Sequence, residues 1–437
     1  MHIHEGVRYK CARGIFAGAI MSLLPSLSYG KTEVDSPHYL FGDWGGVRTM
    51  LSEQGVNLRL GYFSQTAYNA KGGESSEVAY ADQYFWGGYV DLHKLVDWPG
   101  ATFSIEITNR NGTLINQEAD MPFLLQSQQI FGRGNVTRLT QFSLTQHLLN
   151  DTLRIKAGRI YPSADFFAMS CAFQHLTFCS GGSSNYISSS WYGDPLSALG
   201  VQVTYSLTPE LDLKIGSYDA NPATLSLGQG LKLGTSSGQR GTTAVAEIAY
   251  RTTGFKGLPG EYRVGMLRSS LDKQKQVNET GYPVYTDPSA TPMLDTEYAY
   301  YINMEQQVTD NNQGGGLRWF VSLIQSDDEV SAVGGVIALG GYYRGLLTSR
   351  PHDRIGLAIG RNSVSGLLTA AQKRYLAKGI DESAFVQEHE YPIELNYNYV
   401  VSEAVEIMPS LQYVINPNGN NQASDALIVG LQVSLNF

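Results

Sequence analysis

The chain has 437 residues, 42% of them apolar, with 31 Lys and Arg against 40 Asp and Glu for a net charge of −9. An acidic chain is a poor partner for nucleic acid, which is held by clustered cations that neutralise phosphates. Only 16% of residues are charged, while Gly numbers 47 and Tyr 27, an unusual balance for a soluble domain that points to β structure in short alternating segments.

The first element is a secretory leader, residues 1–30. Arg8, Lys10 and Arg13 form its basic head, "GIFAGAIMSLLPSL" its apolar stretch, and Ser28 and Gly30 the small residues before a cleavage site at Lys31. The apolar run is too short for a spanning helix and contains Pro25. The leader carries a net +2, so its removal takes the chain from −9 to −11. Beyond it no apolar run approaches the roughly 18 to 20 residues of a transmembrane helix, which excludes a helical membrane protein.

Residues 31–55 form an amino-terminal segment on the periplasmic side with one helical signal, in "LFGDWGGVRTMLSEQG". Asp43 caps it, Trp44, Val47 and Leu51 fall at helical spacing, and Gly55 stops it. From Val56 to the carboxyl terminus the period is two. Segments of about ten residues alternate apolar with polar, as in "GATFSIEITNR", where Phe103, Ile105 and Ile107 oppose Ser104, Glu106, Thr108 and Arg110. Short Pro-, Gly-, Asn- and Asp-rich turns, from "LVDWPG" through "SLTPE" and "TSRPHD" to "VVSEA", take turns with long connections, the longest near 111–135 and 163–197. Counting between connections gives about sixteen strands with both chain ends on the short-turn side. This predicts an all-β fold, a transmembrane antiparallel β-barrel over 56–437 with long extracellular loops. The final strand, "ALIVGLQVSLNF", carries Leu427, Val429, Leu431, Val433, Leu435 and Phe437 on one face, as a closing strand against lipid requires.

A barrel of this size leaves an aqueous channel, so passage is the expected function. Parity places Glu106 and Arg110, Arg154 and Lys156, Glu247, Arg318, Glu394, Asn396, Asn398, Glu406, Ser410 and Gln412 toward the lumen. Interleaved guanidinium, carboxylate and amide groups suit a neutral polyol, whose hydroxyls donate and accept together. The bland alternative for each charge is pore solvation or an ion pair between strands. Loop 163–197 holds Cys171 and Cys179, which an oxidising compartment can join in a disulfide or leave as two buried thiols. It also holds Trp191 and Tyr192, which either stack on a pyranose at a constriction or pack the loop's own core. No Cys/His spacing resembles a zinc site, and no cofactor is called for. A general diffusion pore, an outer-membrane enzyme on a barrel scaffold, and an adhesin or receptor are the alternatives; no Ser–His arrangement can be assembled for the enzyme.

"LFGDWGGVRTMLSEQGVNL", "WPGATFSIEITNRNG", "LRIKAGRIYPSADF", "FQHLTFCSGG", "GLPGEYRVG", "ELNYNYVV" and "MPSLQYVINPNG" together resemble the carbohydrate-selective porin family of the OprB type, in order over nearly the whole mature chain. The resemblance implies a Gram-negative outer-membrane barrel, surrounded by lipid, that lets monosaccharides such as glucose diffuse down a gradient. It implies that Glu106 and Arg110 line the constriction, with Arg159 and Asp165 near its mouth. Arg159 shares the face of Leu153 and Ile155, so either Gly158 marks a bulge or the strand has ended. Large porins suggest a homotrimer, and family membership does not settle which sugar is preferred.

Overall fold

The computed structural model describes residues 39–132, 134–179, 188–235, 237–379 and 384–437; the expected leader lies outside them. Sixteen strands close into one antiparallel barrel. In chain order they are β1 (Val56–Lys71), β2 (Val78–Asp91), β3 (Ala101–Gly112), β4 (Val136–Leu148), β5 (Leu153–Ile160), β6 (Ala198–Ser206), β7 (Leu211–Ala220), β8 (Gly241–Phe255) and β9 (Leu258–Ser269). After a two-residue pair, β10 (Lys273–Gln274) and β11 (Met293–Leu294), come β12 (Glu297–Gln307), β13 (Gly316–Gln325), β14 (Val333–Arg344), β15 (Arg354–Val364), β16 (His389–Ser402), β17 (Val405–Ile415) and β18 (Ala426–Asn436). Each barrel strand pairs with its neighbours in sequence, β9 with β12 across the small hairpin, and β18 closes on β1.

The alternation has the consequence expected for a sheet wet on one face and in lipid on the other. Ile215, Val264, Leu339, Leu357, Val429 and Leu431 point outward and are exposed, while their sequence neighbours Lys214, Ala338, Ala358 and Ile428 point inward and are buried. Closure leaves no open edge at the seam, where Gly61 to Lys71 run antiparallel to Asn436 to Leu427.

The amino-terminal segment locks that seam. A 3₁₀ turn (Trp44–Gly46) leads into a helix (Val47–Glu53), and the Asp43 carboxylate accepts from the Thr49 amide at 2.9 Å. The Arg48 guanidinium donates to the Phe437 carbonyl end at 2.5 Å and to the Leu58 carbonyl at 3.1 Å, under the rings of Tyr39 and Trp44. Leu40 N–H donates to Asn436 at 2.7 Å, Phe437 N–H to Leu60 at 3.0 Å, and the rings of Phe41 and Phe437 stack at 5.3 Å. A terminal strand that would otherwise fray is therefore bound on both sides and at its last residue.

The described residues of two long connections, 113–135 between β3 and β4 and 161–197 between β5 and β6, fold into the lumen. They bring a large apolar cluster inside the barrel: Leu124, Leu125, Phe166, Phe167, Trp191 and Tyr192 pack against wall residues such as Tyr218, Tyr301 and Val336. Loop 365–388 contains a helix (Gly366–Ala377) that the alternation rule did not announce, capped by Ser365.

Candidate functional site

The site forms where loop 161–197 leaves β5 and faces the wall of β1 to β5. Arg59, Gly87 and Glu106 lie in one register row across β1, β2 and β3. Gly87 has no side chain to separate its neighbours, and the Arg59 guanidinium reaches the Glu106 carboxylate at 3.4 Å. Two inward-facing rows higher, four residues along each strand, Gln83 and Arg110 are paired, and Arg110 Nε donates to Gln83 Oε1 at 2.7 Å. Arg110 Nη2 also donates to the loop, to the Asp194 carboxylate at 2.5 Å and the Asp194 carbonyl at 3.1 Å. On β5, Lys156 Nζ pairs with the Asp165 carboxylate at 2.8 Å, and Asp165 follows the 3₁₀ turn Pro162–Ala164 with which the loop begins.

Tyr161, between β5 and that turn, completes the group. Burial first, then the charges of Glu106 and Asp194, push its phenol well above the ordinary range, so it stays a neutral hydroxyl. The same carboxylate, Glu106, lies within electrostatic reach of Arg59, Asp194 and Lys156. Three cations (Arg59, Arg110, Lys156), three anions (Glu106, Asp165, Asp194) and a phenol thus form one group between the loop and the wall of β1 to β5. Arg154, also inward, lies further toward the periplasmic end of β5 and donates to Thr204 Oγ1 at 3.4 Å.

The opposite wall is occupied. Inward carboxylates there capture backbone amides of the loops, which otherwise have no acceptor inside the barrel. Glu247 accepts from Phe167 N–H at 2.7 Å and from the Tyr301 hydroxyl at 2.8 Å, and is paired with Lys214 and Arg263, each at 2.8 Å. Glu305 accepts from Ser170 N–H at 3.0 Å. Glu394 accepts from Gln174 N–H at 2.9 Å and His175 N–H at 2.8 Å, and Glu390 from Leu124 N–H at 2.8 Å. Gln412 donates to Ser127 O at 3.1 Å and Asn396 to Ala172 O at 3.0 Å. Cys171 and Cys179 are joined in a disulfide within this docked stretch.

The residues singled out by sequence therefore divide. Glu106, Arg110, Lys156 and Asp165 come together in one charged group. Glu247 and Glu394 face inward as parity requires but are fully covered and serve the loop. Trp191 and Tyr192 are 0% and 1% exposed, so the stacking role is corrected: both rings build the core between loop and wall, and Tyr192 Oη donates to Asn221 O at 2.9 Å. Arg159 is a second correction. β5 keeps its register through Ile160, Arg159 pairs with Phe142 and Leu199 on the outward face, and it is 5% exposed with Nε donating to Ser197 Oγ at 3.0 Å. The irregularity lies in β4, where Glu106 pairs with Gln141 and Ile107 with Leu139. Arg59, Tyr161 and Asp194 were missed; Arg59 was legible, since it opposes Leu58 and Leu60 in "NLRLG".

A closed sixteen-stranded barrel with inward-folded loops and a group of paired charges where they meet the wall has the architecture of an outer-membrane porin. Residues 75–437 match the family described as carbohydrate-selective porin, OprB family. The chain is 32% identical over 423 residues to Porin B of Pseudomonas aeruginosa, covering 93% of each, and 33% identical over 452 residues to a putative porin, QuiX, of Acinetobacter baylyi, covering 99% of this chain and all of that one. The high-pH structure of Pseudomonas putida OprB superposes with a TM-score of 0.88 at 29% identity, over 92% of this chain and 99% of that one. The chain belongs to the carbohydrate-selective porin, OprB family, and its place is the Gram-negative outer membrane. Fold and family are those of a channel.

Proposed function

We propose that this porin carries monosaccharides, glucose among them, by passive diffusion through the opening lined by Arg59, Glu106, Tyr161, Lys156 and Asp165. The observation that supports this most is the interleaving of donors and acceptors there. A pyranose presents hydroxyls on every side, each able to donate to a carboxylate while accepting from a guanidinium or ammonium, so its hydration is exchanged for these groups at little net cost. Rings of one sign, which would favour ions of the other, are absent from this group of side chains. Arg110 acts one step back, holding Asp194 and hence the loop that forms the far side of the opening.

Transport limits the affinity. A millimolar site, about −4 kcal/mol, occupies and releases sugar readily, whereas tight binding would block the pore. In a homotrimer each copy would present its own such group of side chains.

The test is planar-bilayer conductance titrated with several sugars. Saturable reduction of ion current by a monosaccharide, with half-saturation shifted by Glu106→Gln, is the expected result. Current that glucose leaves unchanged would mark a general diffusion pore, and the sugar site would fall.

A further inference from the structure

The wall has a notch above β5 and β6. β5 pairs with β4 only from Phe142 to Leu148 and ends at Ile160, after which the chain turns into the lumen, and β6 begins at Ala198. The β4 edge from Val136 to Gln141 is left without a strand beside it, and an open edge at the membrane would strand its amides and carbonyls. The β7–β8 connection closes it. Leu139 N–H donates to Gly230 O at 2.8 Å, Ser197 Oγ donates to Leu139 O at 2.7 Å, and the Arg138 guanidinium donates to Thr224 O at 2.9 Å and Leu225 O at 2.7 Å. The approach is so close that a Cβ on Gly230 would lie 2.2 Å from Thr137 O, so only glycine fits there.

Apart from Lys232, the exposed large side chains of this connection are apolar. Residues 221–235 read "NPATLSLGQGLKLGT", with Lys232 their one charge. Leu227 and Leu231 are 68% and 59% exposed, and Leu225 and Leu233 are exposed beside them. Gly230 meets β4 at Leu139, nine residues above its periplasmic end at Leu148. At about 2.5 Å of height per residue of a tilted strand that is roughly 23 Å, within the apolar band of about 25 Å that such barrels present to lipid. The outward wall just below carries Leu199, Val201 and Ile215, so the leucines continue the belt upward. Arg159 faces outward beside the notch, and its burial against Ser197 and near Asp219 needs a cover on the lipid side.

We propose that residues 221–235 are a lipid-facing part of the wall: they seal the notch, screen Arg159, and set Leu225, Leu227, Leu231 and Leu233 into the outer leaflet. The occupant of this surface is the acyl region of the membrane.

The experiment places an environment-sensitive dye at Leu227→Cys or Leu231→Cys in the full barrel reconstituted in liposomes, with Gln313→Cys on a periplasmic turn as the aqueous reference. Emission shifted to the blue of the reference, several-fold weaker quenching by iodide, and strong quenching by lipids brominated on their acyl chains are expected at both leucine positions. Iodide quenching equal to that at Gln313→Cys, without quenching by brominated lipid, would overturn the proposal. Protection from both quenchers, with disulfide cross-linking between copies, would assign the surface to a second copy and overturn it equally.

Discussion

Glu394→Ala should open the channel from the inside. Glu394 is fully buried, and its two oxygens accept from the amides of Gln174 and His175 at the docked tip of loop 161–197 and from Asn396 Nδ2 at 3.1 Å. Alanine leaves two buried backbone donors without an acceptor, at about 1–3 kcal/mol each, so docking of this stretch weakens by about 2–6 kcal/mol. Local docking is weaker than global folding, and a loss of this size releases the loop while the barrel's ladders stay intact. Glu394→Gln keeps one acceptor and should cost roughly half as much. Single-channel recording is the assay: the alanine variant is expected to show a larger, noisier conductance and a weakened sugar response, with glutamine between it and wild type. Folded alanine variant with wild-type conductance and wild-type sugar half-saturation would refute the idea that wall carboxylates hold the loop.

Acidification should loosen the same stretch through His175, which lies in the loop and in no spanning strand. Burial pushes its imidazole down to about 3, and Nδ1 accepts from Thr177 N–H at 3.3 Å. The undocked loop takes up the proton more readily, so docking is at full strength above about pH 6.5 and weakens by about 1.4 kcal/mol per unit as pH falls below it. Conductance recorded from pH 7 to pH 4 should therefore rise in wild type and rise less in His175→Phe, which keeps the ring between Phe123 and Phe178; identical profiles would exclude His175. At the seam, Arg48→Ala removes a charge-assisted bond to Phe437 and the packing under Tyr39 and Trp44, a loss of about 1.5–3 kcal/mol. The temperature at which the folded band is lost on gels should fall, while the conductance of the folded fraction should not change.

The fold was largely legible because a barrel in lipid repeats one simple constraint on every strand. "GATFSIEITNR" and "ALIVGLQVSLNF" show their faces without reference to any partner, and turns such as "SLTPE" mark their ends. The site was less legible because parity assigns a face but not what covers it. Glu106 and Glu394 look alike in sequence, each inward and flanked by apolar neighbours, yet one pairs with Arg59 across the wall and the other holds a loop from far along the chain. Tyr161 and Asp194 belong to no alternating segment, so nothing local marked them. Arg159 misled for a related reason: an outward arginine looks like a register error until Ser197, at the far end of the loop that follows β5, is found accepting from its Nε.

The central claim is that passage runs through one opening at Tyr161 and that the rest of the lumen is filled by docked loops. Cysteine substitution tests it most directly, since Cys171 and Cys179 are bonded to each other and do not compete for a thiol reagent. Tyr161→Cys should lose most of its conductance when a bulky water-soluble methanethiosulfonate is added, and Gln412→Cys, on the wall beneath loop residue Ser127, should be unaffected. Block at Gln412→Cys with no effect at Tyr161→Cys would place the pathway on the other side of the barrel and contradict the account.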